Sequence, residues 1–89
     1  MQLFIITGMS GAGKSYALKT MEDLGFYCMD NIPPSFIPKF VTMVRNNKKI
    51  RKVALVTDIR GAEPLGNILV ALDELDKQGC KYKLIYLVA

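Results

Sequence analysis

The sequence predicts an α/β fold in which a parallel β-sheet is flanked by helices. Apolar runs of strand length alternate with segments whose apolar residues recur at helical spacing. The runs are apolar almost throughout, as expected of parallel strands that helices cover on both faces. Each helical segment lies between two such runs, which is the order of βαβ units with right-handed crossovers.

The predicted elements follow one another in a regular order. The strands are expected over 2–7, 26–29, 53–58 and 83–88, and the helices over 16–24, 35–45 and 65–78. Gly25 and Gly79 are suited to the left-handed conformation that follows a helix. Ser35 is expected to cap the second helix. Asp73 and Lys77 are spaced to pair along the third helix.

Size and composition agree with a small globular unit. Of the 89 residues, 51% are hydrophobic and 22% are charged, which is typical of a folded rather than a disordered chain. No apolar run approaches the roughly 20 residues that span a bilayer, and Met1 leads into a strand without a secretory signal. We therefore expect a cytoplasmic protein without membrane contact. The net charge of +4 suits an anionic ligand.

A phosphate-binding loop is predicted between the first strand and the first helix. The motif G-x-x-x-x-G-K-[ST] has the strand before it and the amphipathic helix after it that the motif requires. Glycines let backbone N–H groups wrap a polyphosphate, and the helix N-terminus attracts the same anion. Lys14 is expected to reach the β- and γ-phosphates, and Ser15 to hold Mg²⁺. The predicted nucleotide-binding residues of this loop are Gly8, Met9, Ser10, Gly11, Ala12, Gly13, Lys14 and Ser15.

This motif narrows the fold class to a three-layer P-loop NTPase fold, incomplete at about four strands. Nucleotide-binding α/β domains are usually larger than this chain, so residues 1–89 are expected to be a fragment of such a domain. No predicted helix follows the fourth strand. Either a partner chain, as in a homo-oligomer, or residues beyond Ala89 are expected to cover that strand.

A second group of candidate residues follows the third strand. Asp58 closes an apolar run, as the acidic residue of a Walker B strand does, and with Ser15 it is the expected Mg²⁺ ligand. The run from Asp58 to Gly61 also fits the D-x-x-G pattern of GTPase switch regions. Arg60 either adds charge to the phosphates or is solvated. The predicted nucleotide-binding residues here are Asp58, Ile59, Arg60 and Gly61.

The chain contains no histidine and only two cysteines. Histidine-based nucleophilic triads and most zinc sites are thereby excluded within this sequence. General-base chemistry is left to carboxylates or to positioning alone. Cys28 and Cys80 form no C-x-x-C pair and are expected to be free buried thiols.

Two other polar groups have more than one interpretation. Asp30 and Asn31 follow the second strand, where they either orient an acceptor hydroxyl or form an Asx turn before two prolines, and the turn is favoured. A basic group follows the second helix, and it has no interleaved aromatic residues. A solvated face is therefore favoured over RNA contact. The members of this group are Arg45, Lys48, Lys49, Arg51 and Lys52.

Longer stretches carry a family resemblance. The opening T-G-M-S-G-A-G-K-S, the following A-L-K-T-M-E-D-L-G-F-Y-C-M-D-N-I-P and the later D-I-R resemble the RapZ/YvcJ family of bacterial P-loop nucleotide-binding proteins. Some members of that family act as RNase adapter proteins. The resemblance implies ATP binding at the P-loop, a GTP-associated segment from Asp58 to Gly61, and slow Mg²⁺-dependent hydrolysis of both nucleotides. Members are longer than this chain, so the resemblance implies that residues 1–89 are the N-terminal part of a P-loop nucleotide-binding domain. Recognition of small RNA is expected only through the C-terminal region of these proteins.

Three functions are compatible with these residues. The leading one is an ATP- and GTP-binding domain with weak ATPase or GTPase activity, part of a regulatory RNase-adapter-type protein. The second is a small-molecule kinase of the same fold that uses Asp30 to orient its acceptor. The third is a non-enzymatic domain in which nucleotide is a structural ligand or a switch.

Overall fold

The computed structural model of the chain describes residues 1–8, 13–58 and 65–87, with the backbone alone at 58, 65 and 66. Four strands and three α-helices alternate, which confirms the predicted α/β class. A short 3₁₀ helix, Pro34–Phe36, leads into α2. The elements are β1 Gln2–Gly8, α1 Lys14–Asp23, β2 Tyr27–Met29, α2 Ile37–Arg45, β3 Lys52–Asp58, α3 Leu65–Lys77 and β4 Lys83–Leu87.

All four strands are parallel and form one sheet in the order β2-β3-β1-β4. β1 is central and pairs with β3 over the whole length of both strands, from Gln2 opposite Lys52 to Gly8 opposite Asp58. On its other side β1 pairs with β4, where Gly8 lies opposite Leu87. The carboxyl ends of β1, β3 and β4 therefore meet at one edge of the sheet.

The handedness of the connections explains the three layers. The step from β1 to β2 and the step from β3 to β4 run in opposite directions across the sheet. Since parallel crossovers are right-handed, their helices must lie on opposite faces. α1 accordingly packs on one face, whereas α2 and α3 share the other.

The larger core lies between the sheet and the α2/α3 layer. Side chains from alternate positions of β1 and β3 meet the inner faces of both helices and are almost completely buried. Burial of such aliphatic side chains is the main stabilising contribution in a domain of this size. Its members are Leu3, Ile5, Ile32, Ile37, Val41, Val44, Val53, Leu55, Ile68, Ala71, Leu72, Leu75 and Cys80.

The α1 face has a smaller core. Met21 of α1 packs against the other set of alternate strand positions. Partly buried aromatic and aliphatic side chains surround this cluster, including Phe4 and Phe26, whose rings are 5.3 Å apart in an edge-to-face arrangement. The buried members are Ile6, Met21, Ala54 and Val56.

The helix ends agree with the predictions in part. Gly25 and Gly79 have φ values of 88° and 72°, as predicted for residues that follow a helix. Lys77 pairs with Asp73 at 3.3 Å, but both side chains are exposed, so the pair contributes little to stability. Within the residues that the structure describes, the longest helix has 13 residues, and no helix could cross a membrane.

The predicted cap of the second helix is wrong. Ser35 lies inside the 3₁₀ helix, and Phe36 occupies the N-cap of α2 without a side-chain cap. Pro38 lies in the first turn of α2 and has no N–H group, so the turn has one fewer donor to satisfy. A capping hydroxyl is correspondingly less needed.

Candidate phosphate-binding site

The predicted P-loop joins β1 to α1. β1 ends at Gly8 and α1 begins at Lys14, so the strand and the helix that the motif requires are both present. Gly13 forms the N-cap of α1 with a φ of 87°, which is a left-handed conformation that glycine adopts without strain. Four of the predicted binding residues lie outside the described residues; they are Met9, Ser10, Gly11 and Ala12.

Gly8 is buried where β1 meets β4. A β-carbon at this position would collide with the carbonyl oxygen of Leu87, and the φ of Gly8 is 151°. The first glycine of the motif is therefore required by the β1–β4 contact itself. The sequence motif indicated only that a glycine here leaves space for phosphate.

The Lys14 side chain extends back towards the carboxyl end of β1. Its Nζ donates a hydrogen bond of 3.3 Å to the carbonyl oxygen of Gly8, and the side chain is partly buried. This contact places the lysine charge at the carboxyl end of β1, the strand that precedes the predicted loop.

The N-terminus of α1 is suited to an anion. Its N-cap, Gly13, has no side chain to accept hydrogen bonds from the first turn, and that turn contains no acidic residue. The first backbone N–H groups of a helix have no partner within the helix and carry partial positive charge. Ser15 is exposed in the same turn. An anion placed here would satisfy donors that α1 leaves without a capping side chain.

Asp58 ends β3 directly opposite Gly8 in the β1–β3 register. These two neighbouring strands lead to helices on opposite faces of the sheet, which makes their carboxyl ends the topological switch point where ligands of open α/β sheets bind. The structure describes only the backbone of Asp58, and Ile59, Arg60 and Gly61 lie outside its described residues. The roles predicted for these four residues stay predictions.

Two buried hydroxyl groups lie one residue before these strand ends. Thr7 and Thr57 are register partners, both are fully buried, and neither hydroxyl has a hydrogen-bond partner among the residues that the structure describes. Burial of an unpaired hydroxyl is costly, so this pair is an unusual feature of the core. Sequence reasoning missed it because each threonine alone is an ordinary strand residue.

Asp30 and Asn31 follow β2 at the same edge of the sheet. Asn31 has a φ of 57°, and the next residue, Ile32, donates its N–H to the carbonyl oxygen of Val56 at 3.0 Å. This hydrogen bond fixes the segment against β3. Asp30 is exposed, and β3 separates β2 from β1, so Asp30 lies roughly 10 Å across the sheet from the P-loop strand.

The two cysteines are free thiols; Cys28 is partly buried and Cys80 is buried. Burial raises the pKa of the Cys28 thiol, and the nearby Glu22 carboxylate raises it further. Burial also raises the pKa of Cys80, although Arg45 and the N-terminal amino group act in the opposite direction. Neither thiol is therefore activated as a nucleophile.

Members of the basic group contact different parts of the chain in the structure. Arg45 donates a hydrogen bond to the carbonyl oxygen of Gln78, at 3.3 Å. Lys52 donates one to the carbonyl oxygen of Leu24, also at 3.3 Å, and its amine lies 5.5 Å from the centre of the Phe26 ring. Aromatic residues that are absent from the basic stretch of sequence are thus adjacent to it in space.

These features define an α/β domain of the P-loop NTPase type, incomplete at four strands. The profile of the RapZ-like N-terminal domain matches residues 1–89. The chain therefore belongs to the RapZ-like family and is a fragment relative to its longer members.

Curated relatives extend well beyond the matched region. A protein of Desulforudis audaxviator is 48% identical over 89 residues, which are 99% of this chain and 30% of that protein. One of Ruminiclostridium cellulolyticum is 49% identical over 90 residues, covering 100% of this chain and 31% of that protein. One of Listeria welshimeri is 54% identical over 76 residues, which are 85% of this chain and 26% of that protein. Each is called a nucleotide-binding protein, and this chain spans about three-tenths of the length of the first two.

Proposed function

We propose that this domain binds ATP and GTP as their Mg²⁺ complexes and hydrolyses them slowly. The observation that supports this most directly is the Lys14 amine, held 3.3 Å from the Gly8 carbonyl oxygen at the junction of β1 and α1. The sequence motif assigns this lysine to the β- and γ-phosphates. Relatives that match nearly the whole chain are named nucleotide-binding proteins, which agrees with the proposal.

The phosphates would be held by two kinds of donor. The first-turn N–H groups of α1 and the positive end of its dipole attract the anion without base specificity. The Lys14 amine would exchange part of its contact with a neutral carbonyl for a charge-assisted contact with phosphate oxygens, which is the stronger interaction. Both triphosphates satisfy these donors equally, which is why the proposal includes ATP and GTP.

The residues at the site suit Mg²⁺ by their chemistry. Ser15 lies in the first turn of α1, and Asp58 ends the strand that pairs with β1. Hydroxyl and carboxylate oxygens are ligands that Mg²⁺ accepts, and this ion usually takes its other ligands from phosphates and water. Among the residues that the structure describes, no group of three or more Cys, Asp or Glu side chains could hold a metal ion alone. The metal would therefore enter together with the nucleotide, where it neutralises phosphate charge.

Hydrolysis in this site would depend on positioning and electrostatics. Phosphoryl transfer needs an oriented water and stabilised phosphate charge more than a strong base. The chain has no histidine, and the pKa values of both thiols are raised, so neither side chain type offers a general base at neutral pH. We therefore expect slow turnover.

Calorimetric titration of the chain with MgATP and with MgGTP tests the proposal. Lys14→Ala removes a charge-assisted contact and should weaken both affinities by roughly tenfold or more. The matched control is Lys19→Ala, since Lys19 is exposed on the same helix, and it should change affinity less than about twofold. Equal affinity of the wild type and Lys14→Ala for both nucleotides would exclude the site.

A small-molecule kinase is the second candidate, and the fixed segment after β2 favours it. The hydrogen bond from Ile32 to Val56 and the left-handed Asn31 hold the exposed Asp30 at the carboxyl edge of the sheet. A carboxylate fixed there could orient an acceptor hydroxyl. The test compares ³²P transfer from ATP to a panel of hydroxyl metabolites with release of free phosphate. Transfer that is much faster than hydrolysis, and that Asp30→Ala abolishes, would replace the leading proposal.

The adapter role concerns the longer protein. The curated relatives continue for more than twice the matched length, so a regulatory RNase-adapter-type activity would need regions outside this sequence. Within the whole protein, the proposal assigns nucleotide binding to this segment. A longer relative whose adapter activity is unaffected by loss of its P-loop lysine would separate the two functions.

A further inference from the structure

A cleft of about 500 Å³ lies at the amino-terminal edge of the sheet, between residues 25–27 and residues 49–52. The first segment leads into β2 and the second into β3. Three of the lining residues, Lys49, Arg51 and Lys52, are cationic, and none is acidic. We call this region the basic cleft.

Two of its cations have no internal partner. Lys49 and Arg51 are exposed, and the structure shows neither a salt bridge nor a side-chain hydrogen bond for the Lys49 amine or the Arg51 guanidinium with any residue it describes. The third cation, Lys52, is held by the Leu24 carbonyl oxygen and the Phe26 ring. The cleft therefore combines one fixed charge with two that are available to an anion.

One wall of the cleft is formed by the Tyr27 ring, which packs against a second aromatic ring. The Tyr27 ring stacks on Phe40, with 6.4 Å between the ring centres and 27° between the ring planes. About half of Tyr27 (48%) is nevertheless exposed. Because Phe40 restrains the ring, Tyr27 offers a planar surface for stacking at a reduced cost in side-chain entropy.

We propose that the basic cleft binds a nucleotide unit, with its phosphate on Lys49 and Arg51 and its base on Tyr27. The unit is presented either by a free nucleotide or by a single-stranded nucleic acid, since both combine a phosphate with a planar base. Cations beside an aromatic platform are the combination that single-strand-binding surfaces use. An acidic peptide would engage the cations but would make no use of the ring. The sequence favours a solvated face for this basic group because Phe26 and Tyr27 lie far from it along the chain; the fold brings both aromatic residues beside it.

The basic cleft is separate from the P-loop. Lys52 begins β3 and Asp58 ends it, and a strand of this length spans roughly 20 Å. The cleft and the P-loop therefore lie at opposite edges of the sheet. A substitution that abolishes binding at one site should leave binding at the other site unchanged, which makes this inference independent of the function proposed above.

Fluorescence anisotropy with two probes tests the inference on the chain as it stands. One probe is a labelled oligouridylate of about ten nucleotides with a free 5′-hydroxyl, within the usual footprint of a single-strand-binding domain. The other is uridine 5′-monophosphate, used as a competitor. Wild type and Lys14→Ala are both titrated, because probe binding in the basic cleft should not depend on the P-loop lysine.

The variants distinguish the contribution of charge to probe binding from the contribution of aromatic stacking. Lys49→Gln combined with Arg51→Gln should weaken oligouridylate binding roughly tenfold or more and reduce the salt slope by about 1.4, since about 0.7 is expected for each phosphate contact to a single strand. Tyr27→Ala should weaken binding about fivefold or more, whereas Tyr27→Phe keeps the ring and should stay within about twofold. The charge-matched control is Lys19→Gln combined with Lys83→Gln. Both control residues are exposed and lie outside the cleft.

Each outcome bears on the inference. Oligouridylate binding at least tenfold tighter than that of the monophosphate, and sensitive to the cleft variants, supports a single-stranded nucleic acid. Equal affinity for both probes with the same sensitivity supports a free nucleotide. The inference is overturned if neither probe binds, if Lys14→Ala weakens probe binding as much as the cleft variant does, if the control loses as much affinity as the cleft variant, or if polyglutamate competes as well as oligouridylate. The charge variants alter only exposed side chains, so they remain informative even if Tyr27→Ala unfolds.

Discussion

Gly8 lies against the carbonyl group of Leu87, so close that no β-carbon fits between them. The first glycine of the phosphate-binding motif therefore has a structural role in addition to any contact with ligand. Gly8→Ala would place a methyl group against the backbone of β4 and strain a φ of 151°. We expect a loss of about 3 kcal/mol or more in the free energy of unfolding, measured by urea titration.

The control for this change is Gly25→Ala. Gly25 also has a positive φ, of 88°, but a β-carbon there would meet no atom within 4 Å. Strain without collision should cost only about 1–2 kcal/mol. Equal losses for the two variants would show that the contact with Leu87 has no energetic importance.

The paired threonines predict a stabilising substitution. Thr57→Val keeps nearly the same shape and removes a buried hydroxyl that has no partner. Because the folded state no longer buries an unpaired polar group, the free energy of unfolding should rise by about 1 kcal/mol in urea titrations. Thr42→Val is the comparison, since the Thr42 hydroxyl donates to the Pro38 carbonyl oxygen at 2.9 Å and should yield no such gain. A loss of stability in Thr57→Val would reveal a partner for the buried hydroxyl.

The sequence predicts the structural features that depend on local patterns of residues, such as the positions of strands and helices. Apolar periodicity located the four strands and three helices within a few residues of their observed ends, because it reflects which side of each element is buried. The predicted Ser35 cap is wrong because Ser35 lies inside a 3₁₀ helix and because Pro38 leaves the first turn of α2 with one fewer N–H donor to satisfy. Leu69 is an apolar residue within the predicted third helix, yet 59% of it is exposed.

Features that depend on strand order cannot be predicted from such local patterns. The position of Gly8 against Leu87, the pairing of Thr7 with Thr57, and the location of Tyr27 beside the basic stretch all join residues far apart in sequence. Each requires the order β2-β3-β1-β4, which periodicity does not encode. For the candidate site, the motif identified the loop correctly as a strand-to-helix connection.

The two sides of α3 predict different responses to truncation. Leu75 is completely buried in the larger core, so Leu75→Ala should lower the free energy of unfolding by about 3 kcal/mol. Leu69→Ala removes the same atoms from a side chain that is 59% exposed, and it should change stability by no more than about 0.5 kcal/mol. Urea unfolding followed by circular dichroism measures both. Similar losses would indicate that Leu69 is covered in solution.

The buried thiol of Cys80 predicts a loss of stability at alkaline pH. Burial raises its pKa in the folded state, against the partial opposition of Arg45 and the N-terminal amino group. The folded chain thus keeps the thiol proton to higher pH than the unfolded chain does, and this contribution to stability is complete below the unfolded pKa of about 8.5. It is lost as the pH rises through the raised folded pKa. The free energy of unfolding of the wild type should therefore fall more between about pH 7.5 and pH 10 than that of Cys80→Ala, in which the thiol is absent. Parallel pH profiles for the two proteins would show that the Cys80 thiol titrates alike in the folded and unfolded states.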